Sequence, residues 1–305
     1  MSDLRQRAPG HSLIDELLRQ WDLGTIHVDA ATDGIVIDDE AVGWYRGVIG
    51  ERRVADLLSR LSSEWTVLHS VPVGAGTSDI DHIVIGEGGV FTINTKFSPG
   101  KTVWSAGYGM YVDTFPVHYV RNSVTEAARA SDLLSKASGM TVPVVGLIVF
   151  VDPGTMTRKA AAAGGVATPE IRVMSDGELL ATFATRPIFS AEQAQRIVEQ
   201  AVRPETWHRA PALSTVGRHI TQEFDALESE VGPRLARPVI RVTAPRQAPK
   251  KTYASRPAKT RPATRRPSSK RRSKQSLLEK LVRGLLMPAA GFAIVWAIFS
   301  YVSQR

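Results

Sequence analysis

The run from Ser78 to Lys96, SDIDHIVIGEGGVFTINTK, constrains the fold more than any other part of the chain. Two stretches rich in β-branched residues flank Gly86-Glu87-Gly88-Gly89, which predicts an antiparallel hairpin. If Ile85 opposes Val90, Asp81 lies across from Asn94 and Asp79 across from Lys96. With a side-chain period of two, these four polar residues project from one face, and His82, Phe91, Ile93 and Thr95 from the other. A slip of one residue would send every side chain to the opposite face, so the register is a sharp expectation.

The elements around the hairpin point to a mixed α/β class. From Trp44 to Leu61 the pattern is helical, with Val54, Leu57, Leu58 and Leu61 on one apolar stripe. Trp65–Val71 reads as a strand, Thr102–Val112 as a second hairpin, and Ser123–Ala137 as a helix. Val142–Val151 is a nearly unbroken apolar run, which suits a strand covered on both faces. Ile171–Met174 and Ala191–Val202 read as a last strand and a closing helix. Ahead of these, Ser12–Leu18 reads as a short helix and Gly34–Ile37 as a brief strand. A compact domain with a mixed sheet flanked by helices follows.

Composition divides the chain in two. Residues 243–305 hold 15 Lys/Arg against one acid, Glu279, a formal charge of +14, whereas residues 1–242 hold 23 Lys/Arg against 29 Asp/Glu, or −6. The overall +8 therefore describes a tail rather than a fold. The absence of cysteine excludes disulfide scaffolds, thiol nucleophiles and thiolate metal sites, and suits a reducing compartment. Residues 243–276 are dominated by Pro, Ala, Ser, Thr, Lys and Arg and read as an extended basic linker. Beyond it, residues 285–302 form 18 uncharged positions, LLMPAAGFAIVWAIFSYV, long enough at about 1.5 Å per residue to cross most of a bilayer core. Fourteen Lys/Arg lie between Arg246 and Arg283 and only Arg305 beyond the span. The positive-inside rule then places the bulk of the chain in the cytoplasm, on a single-pass, tail-anchored protein of the cytoplasmic membrane. The basic residues 246–283 are expected to lie on anionic membrane lipid, a preference over a nucleic-acid arm that the scarcity of aromatics supports. The layout is a lead-in (1–42), the main domain (43–204), a helical extension (205–242) with a helix over 213–230, the linker (243–276), and the juxtamembrane and transmembrane segment (277–305).

Two aspartates and a lysine on one strand face, beside a glutamate on a neighbouring helix, suit a hard divalent cation held by oxygen ligands. Glu51 supplies the glutamate: it precedes Val54, Ala55 and Leu58 by three, four and seven residues and shares their buried stripe. Such a cation polarises a phosphodiester, and the lysine orients water or stabilises developing charge. Each member also has a plain structural reading. Glu51 alone would be a helix acid, Asp79 turn chemistry, Asp81 and Lys96 a cross-strand ion pair, and His82 a core histidine.

Together Gly47-x-x-Gly50-Glu51, Ser78-Asp79-Ile80-Asp81-His82-Ile83 and Val90-Phe91-x-Ile93-x-Thr95-Lys96 resemble the nuclease-related domain, NERD. That family is related to the PD-(D/E)XK restriction-endonuclease-like fold. The resemblance spans roughly Gly43–Val151. It implies Glu51 as the acid of the first helix, Asp81 as the central metal-binding aspartate and Lys96 as the lysine of the (D/E)xK element. It also implies a Mg²⁺ or Mn²⁺ ligand set of Glu51, Asp81, the Thr95 carbonyl and Asn94, with catalysis by Lys96, Asp81 and Glu51. Asn94 departs from the family, which usually carries an acid two residues before the lysine. Glu126, downstream, has two readings, an acid that restores the charge missing at Asn94 and a solvated helix acid, of which the second is preferred. The expected activity is cleavage of DNA at the membrane. The alternative is a degenerate nuclease fold acting as a nucleic-acid-binding or interaction module.

Overall fold

The computed structural model describes residues 3–29, 34–74, 78–159, 163–165 and 168–207. The expected helix over 213–230, the basic linker and the apolar segment 285–302 lie outside the described residues. Among the described residues no helix is long and apolar enough to cross a membrane.

The elements run α1 (His11–Asp22), β1 (Ile26–Asp29), β2 (Gly34–Ile37), α2 (Asp39–Leu58), β3 (Thr66–Pro72), β4 (Asp79–Gly86) and β5 (Gly89–Phe97). Then follow β6 (Thr102–Ala106), β7 (Gly109–Val112), β8 (Phe115–Pro116), α3 (Tyr119–Ser138), β9 (Val144–Val151) and β10 (Thr155–Arg158). The last are β11 (Ala163–Gly165), β12 (Thr168–Ser175), α4 (Ala191–Ala201) and α5 (Pro204–Trp207). Six strands form the main mixed sheet in the order β11-β12-β9-β5-β4-β3. β3, β4 and β5 are an antiparallel meander, whereas β9 lies parallel to β5 and β12 parallel to β9. The return from β5 to β9 passes through α3, as a parallel pairing requires a crossover.

Alternation along the strands fills two cores. Val84, Phe91, Ile93, Leu147, Val149 and Val151 face Val54 and Leu58 of α2. Ile83, Ile85, Val90, Ile148 and Phe150 face Val120, Ala127 and Leu134 of α3 and Ile197 of α4. β9 is thus covered on both sides, which accounts for its lack of polar positions. A smaller cluster joins Ile14 and Leu17 of α1 and Ile26 of β1 to Ala41 and Val48 of α2, so α1 and β1 pack on α2, while Leu4 joins the core on the α3 side.

The hairpin has the expected register, with Ile85 opposite Val90, Val84 opposite Phe91 and His82 opposite Ile93. Gly86 pairs with Gly89, which leaves a two-residue turn. A Cβ on Gly86 would stand 2.6 Å from the Trp65 ring, so the indole closes over a turn that only glycine leaves open. The second hairpin, β6–β7, also forms, and it is extended by β8 and by a parallel pairing of β10 with β6.

Two glycines set how closely α2 approaches its neighbours. A Cβ on Gly47 would meet Leu13 Cδ1 of α1 at 2.8 Å, and one on Gly50 would meet Phe97 Cβ at 3.1 Å and Thr95 Cγ2 at 3.3 Å. The second approach presses α2 against the C-terminal end of β5 and delivers the next residue, Glu51, to the ends of β4 and β5.

Candidate metal centre

The expected ladder stops short of the site. Pairing of β4 with β5 is last seen at His82 and Ile93. Beyond it the Asp81 carboxylate accepts the Thr95 backbone N–H at 2.6 Å, a side-chain bond where a strand bond would otherwise run. Asn94 to Phe97 continue their pairing with β9. Strand pairing therefore stops with Asp81 on one strand and Asn94 and Lys96 on the other just beyond the last pair.

Asp79 does not stand opposite Lys96. Its backbone pairs with Pro72, and its carboxylate accepts hydrogen bonds from the Ser12 hydroxyl and, at 3.2 Å, from Arg7. The reason is the lead-in segment, which supplies a guanidinium and a helix-start hydroxyl that the hairpin geometry alone does not contain. Nor do Asp81 and Lys96 form an ion pair within 4.0 Å among the described residues. The Lys96 ammonium instead stands 5.0 Å from the centre of the Tyr119 ring, at the start of α3.

Glu51 is only 6% exposed and lies in the middle of α2 rather than at its start. A buried carboxylate needs donors, and the Gly10 N–H supplies one at 3.0 Å. That N–H belongs to the N-cap residue of α1, whose left-handed φ of 76° glycine adopts readily. Sequence reasoning missed Arg7, Gly10 and Ser12 as supports of the acids. The only signal was the capping-type start of α1, which says nothing about what that start faces.

Glu126 is the main correction. It is not a solvated helix acid: Asn94 Nδ2 donates to its Oε2 at 3.3 Å, and its Oε1 is sealed from solvent with no hydrogen-bond partner. The physical cause is the buried face of α3, on which Ser123, Ala127 and Ala130 pack inward. A residue adjoining that stripe is drawn toward β5. Asn94 Oδ1 is likewise sealed and without a partner.

The electrostatics follow from crowding and burial. The Glu51 carboxyl is pushed well above the usual range, first by burial and then by Asp81 and Asp79, against the pull of the Gly10 N–H and Lys96. Burial also raises Asp81, opposed by Lys96 and the Thr95 N–H. Asp79 is raised to about 6, mainly by burial, with Ser12 and Arg7 opposing. Burial and then the Asp81 charge raise Glu126 to about 8. Three acids, Glu51, Asp81 and Glu126, resist ionisation around Lys96, while Asp79 has Arg7 beside it, so the site is short of positive charge. A bound dication would reverse that balance and favour the ionised forms.

His82, fully buried, touches His69 edge-on, with Nδ1 to Nδ1 at 2.9 Å. Burial holds His69 down at about 4 and His82 well below its ordinary value. Both are neutral core residues near neutral pH, and His82 has the structural role expected of it.

Among the described residues no group of three or more His, Asp or Glu side chains could hold a metal ion. The fit of a cation rests instead on a mixed oxygen set. The oxygens that a hard dication would satisfy are the Asp81 and Glu51 carboxylates and the sealed, unpartnered Asn94 Oδ1.

The fold is a mixed sheet flanked by helices, with acids and a lysine where the pairing of two central strands ends. Residues 46–151 match the family model described as NERD, nuclease-related domain, a span that holds Glu51, Asp81, Asn94, Thr95, Lys96 and Glu126. The match covers about a third of the chain. No curated protein and no solved structure matches the chain.

Proposed function

We propose that the domain of residues 43–204 hydrolyses phosphodiester bonds in DNA with a bound Mg²⁺ or Mn²⁺, and that residues 285–302 tether it to the cytoplasmic membrane. The observation that carries the reading is the convergence of Glu51, Asp81, Asn94 and Lys96 where the pairing of β4 and β5 ends, with buried oxygens left unpartnered there. Asp81 and Glu51 would hold the cation, with Asn94 Oδ1 and the Thr95 carbonyl as neutral oxygens. The cation supplies Lewis-acid polarisation of the phosphate and charge compensation for the cluster. The Thr95 N–H fixes the Asp81 carboxylate, and the Gly10 N–H fixes Glu51, so both acids are oriented before substrate arrives. Lys96, held over Tyr119 rather than locked onto a carboxylate, is free to donate to an attacking water or a phosphate oxygen.

DNA would be drawn to the acidic domain by the cation, and residues 246–283 would lie on anionic lipid. The −6 charge of residues 1–242 favours a second reading, an interaction module on a degenerate nuclease fold. Full-length protein incubated with labelled single- and double-stranded DNA separates the two. Cutting that needs Mg²⁺ or Mn²⁺, stops with EDTA and is lost in Asp81→Ala supports the enzyme. Absence of cutting by folded wild-type protein supports the module.

A further inference from the structure

We infer that the outward face of the small sheet, β10-β6-β7-β8, is a stacking platform for the unpaired bases of single-stranded DNA. The inference rests on the reading that this domain acts on DNA, and it names the form of DNA that fits. Strand alternation builds the face. Val103, Ser105 and Met110 are buried, Val103 and Met110 in the core on the α3 side. The positions between them therefore face outward. Trp104 stands opposite Tyr111 across β6 and β7, Tyr111 opposite Pro116 of β8, and Trp104 beside Thr157 of β10, so one outward row crosses all four strands. The Trp104 and Tyr111 ring centres lie 5.7 Å apart at 64°, so neither ring is laid flat on the other. Tyr111 is 43% exposed, Tyr108 in the β6–β7 turn 48%, and Phe115 at the start of β8 70%.

A cross-strand aromatic pair stabilises a sheet by itself, which accounts for Trp104 with Tyr111. It does not account for Tyr108 or Phe115, which meet no other ring among the described residues. Charge selects the occupant. From Lys101 to Arg121 and from Thr155 to Lys159 the chain holds four Lys/Arg against one acid, within a region of net −6. Lys101 is tied to Asp113 and Arg158 to Glu178. Arg121 and Lys159 are exposed and make no ion pair among the described residues. Rings that stack bases beside cations that meet phosphates are what single-stranded nucleic acid needs. A duplex keeps its bases stacked on one another, so only unpaired bases reach the rings. Topology sets the face beside the candidate metal centre. β6 starts at Thr102, just past Lys96 and Phe97 of β5, and β8 leads through Val117 and His118 to Tyr119, whose ring meets Lys96.

The experiment is fluorescence anisotropy of labelled oligothymidylate and of a duplex of equal length, with full-length protein in EDTA. Raised salt weakens phosphate contacts with the basic residues 246–283, whereas stacking persists. Wild type is compared with Tyr111→Ala/Phe115→Ala and with the ring-keeping Tyr111→Phe/Phe115→Tyr, circular dichroism verifying the fold. The alanine pair should lose about tenfold or more in affinity for oligothymidylate, the ring-keeping pair should stay within about twofold of wild type, and duplex binding should not change. Undiminished oligothymidylate binding by the alanine pair overturns the inference, as does an equal loss on duplex. So does a loss confined to vesicles of anionic lipid, which would make the face a membrane contact. If the alanine pair does not fold, Phe115→Ala decides, since that ring is mostly in solvent, and wild-type affinity in it overturns the inference. Because no metal is present, ring-dependent binding by a protein that never cuts DNA upholds the platform and refutes hydrolysis. Metal-dependent cutting with no ring dependence does the reverse.

Discussion

Replacing Glu126 by Gln should stabilise the metal-free protein, and by an amount that grows with pH. The Glu126 carboxyl is raised to about 8 by burial and by Asp81, from an ordinary value of 4.5. Its folded pKa therefore lies above its unfolded one. Between the two, the folded chain binds the proton that the unfolded chain has released, so stability falls as pH rises through that window. At about 1.36 kcal/mol per pH unit, the cost is near zero at pH 4.5 and reaches about 3 kcal/mol at pH 7. Glutamine keeps the shape and can accept from Asn94 Nδ2, but it has no proton to lose. For about 200 ordered residues the difference at neutral pH corresponds to roughly 10 °C in melting temperature. The assay is thermal unfolding of full-length wild type and Glu126→Gln in EDTA at steps from pH 5 to pH 8, read by circular dichroism. A stability difference that stays flat across that range would refute the reasoning, because it would mean that Glu126 ionises as freely in the fold as in the unfolded chain.

Other consequences follow from neighbouring contacts. Arg7→Ala removes a cation from Asp79, whose carboxyl titrates at about 6. Denaturant titration should show a loss of about 2 kcal/mol at pH 8 and a smaller one at pH 5, where Asp79 is protonated and the pair is already weakened. Gly50→Leu should cost about 2 kcal/mol or more and weaken Mn²⁺ binding, because a Cβ there already presses on Thr95 and Phe97. Gly47→Ala should be near neutral by the same unfolding assay, since only the mobile end of Leu13 must yield and alanine favours the helix. Truncation before residue 277 should shift the protein from the membrane pellet to the soluble fraction, where alkaline carbonate washing leaves the full chain in the pellet.

The hairpin was legible because its information is local. Alternation, a glycine turn and β-branched residues specify register without reference to the rest of the chain, and the pairing of Ile85 with Val90 needs nothing else. The stripe of α2 was legible for the same reason, and it carried Glu51 inward with Val54 and Leu58. What the sequence did not disclose is what meets those acids from a distance. Gly10 and Ser12 reach Glu51 and Asp79 from the start of α1, 41 and 67 residues away along the chain. No periodicity within the domain signals that contact. Extending the hairpin rule to the strand ends failed for a physical reason, since Asp81 takes the Thr95 N–H and Arg7 draws off Asp79. Of the two readings of Glu126 the preferred, solvated one fails, because the residue adjoins the Ser123, Ala127 and Ala130 stripe that α3 buries. The start of α3 at Tyr119, four residues ahead of the expected Ser123, carries the ring under Lys96. The parallel pairing of β10 with β6 is likewise a product of tertiary assembly, since neither strand carries a signal naming the other.

The central claim is that this site performs hydrolysis with Lys96 acting on substrate or water and not as a cation ligand. The direct measurement compares Lys96→Ala with wild type for Mn²⁺ binding and for single-turnover cleavage of labelled DNA, both on full-length protein of verified fold. The account predicts that wild type cleaves, and that the variant binds Mn²⁺ at least as tightly while its cleavage rate collapses. Cleavage by Lys96→Ala at the wild-type rate would contradict it.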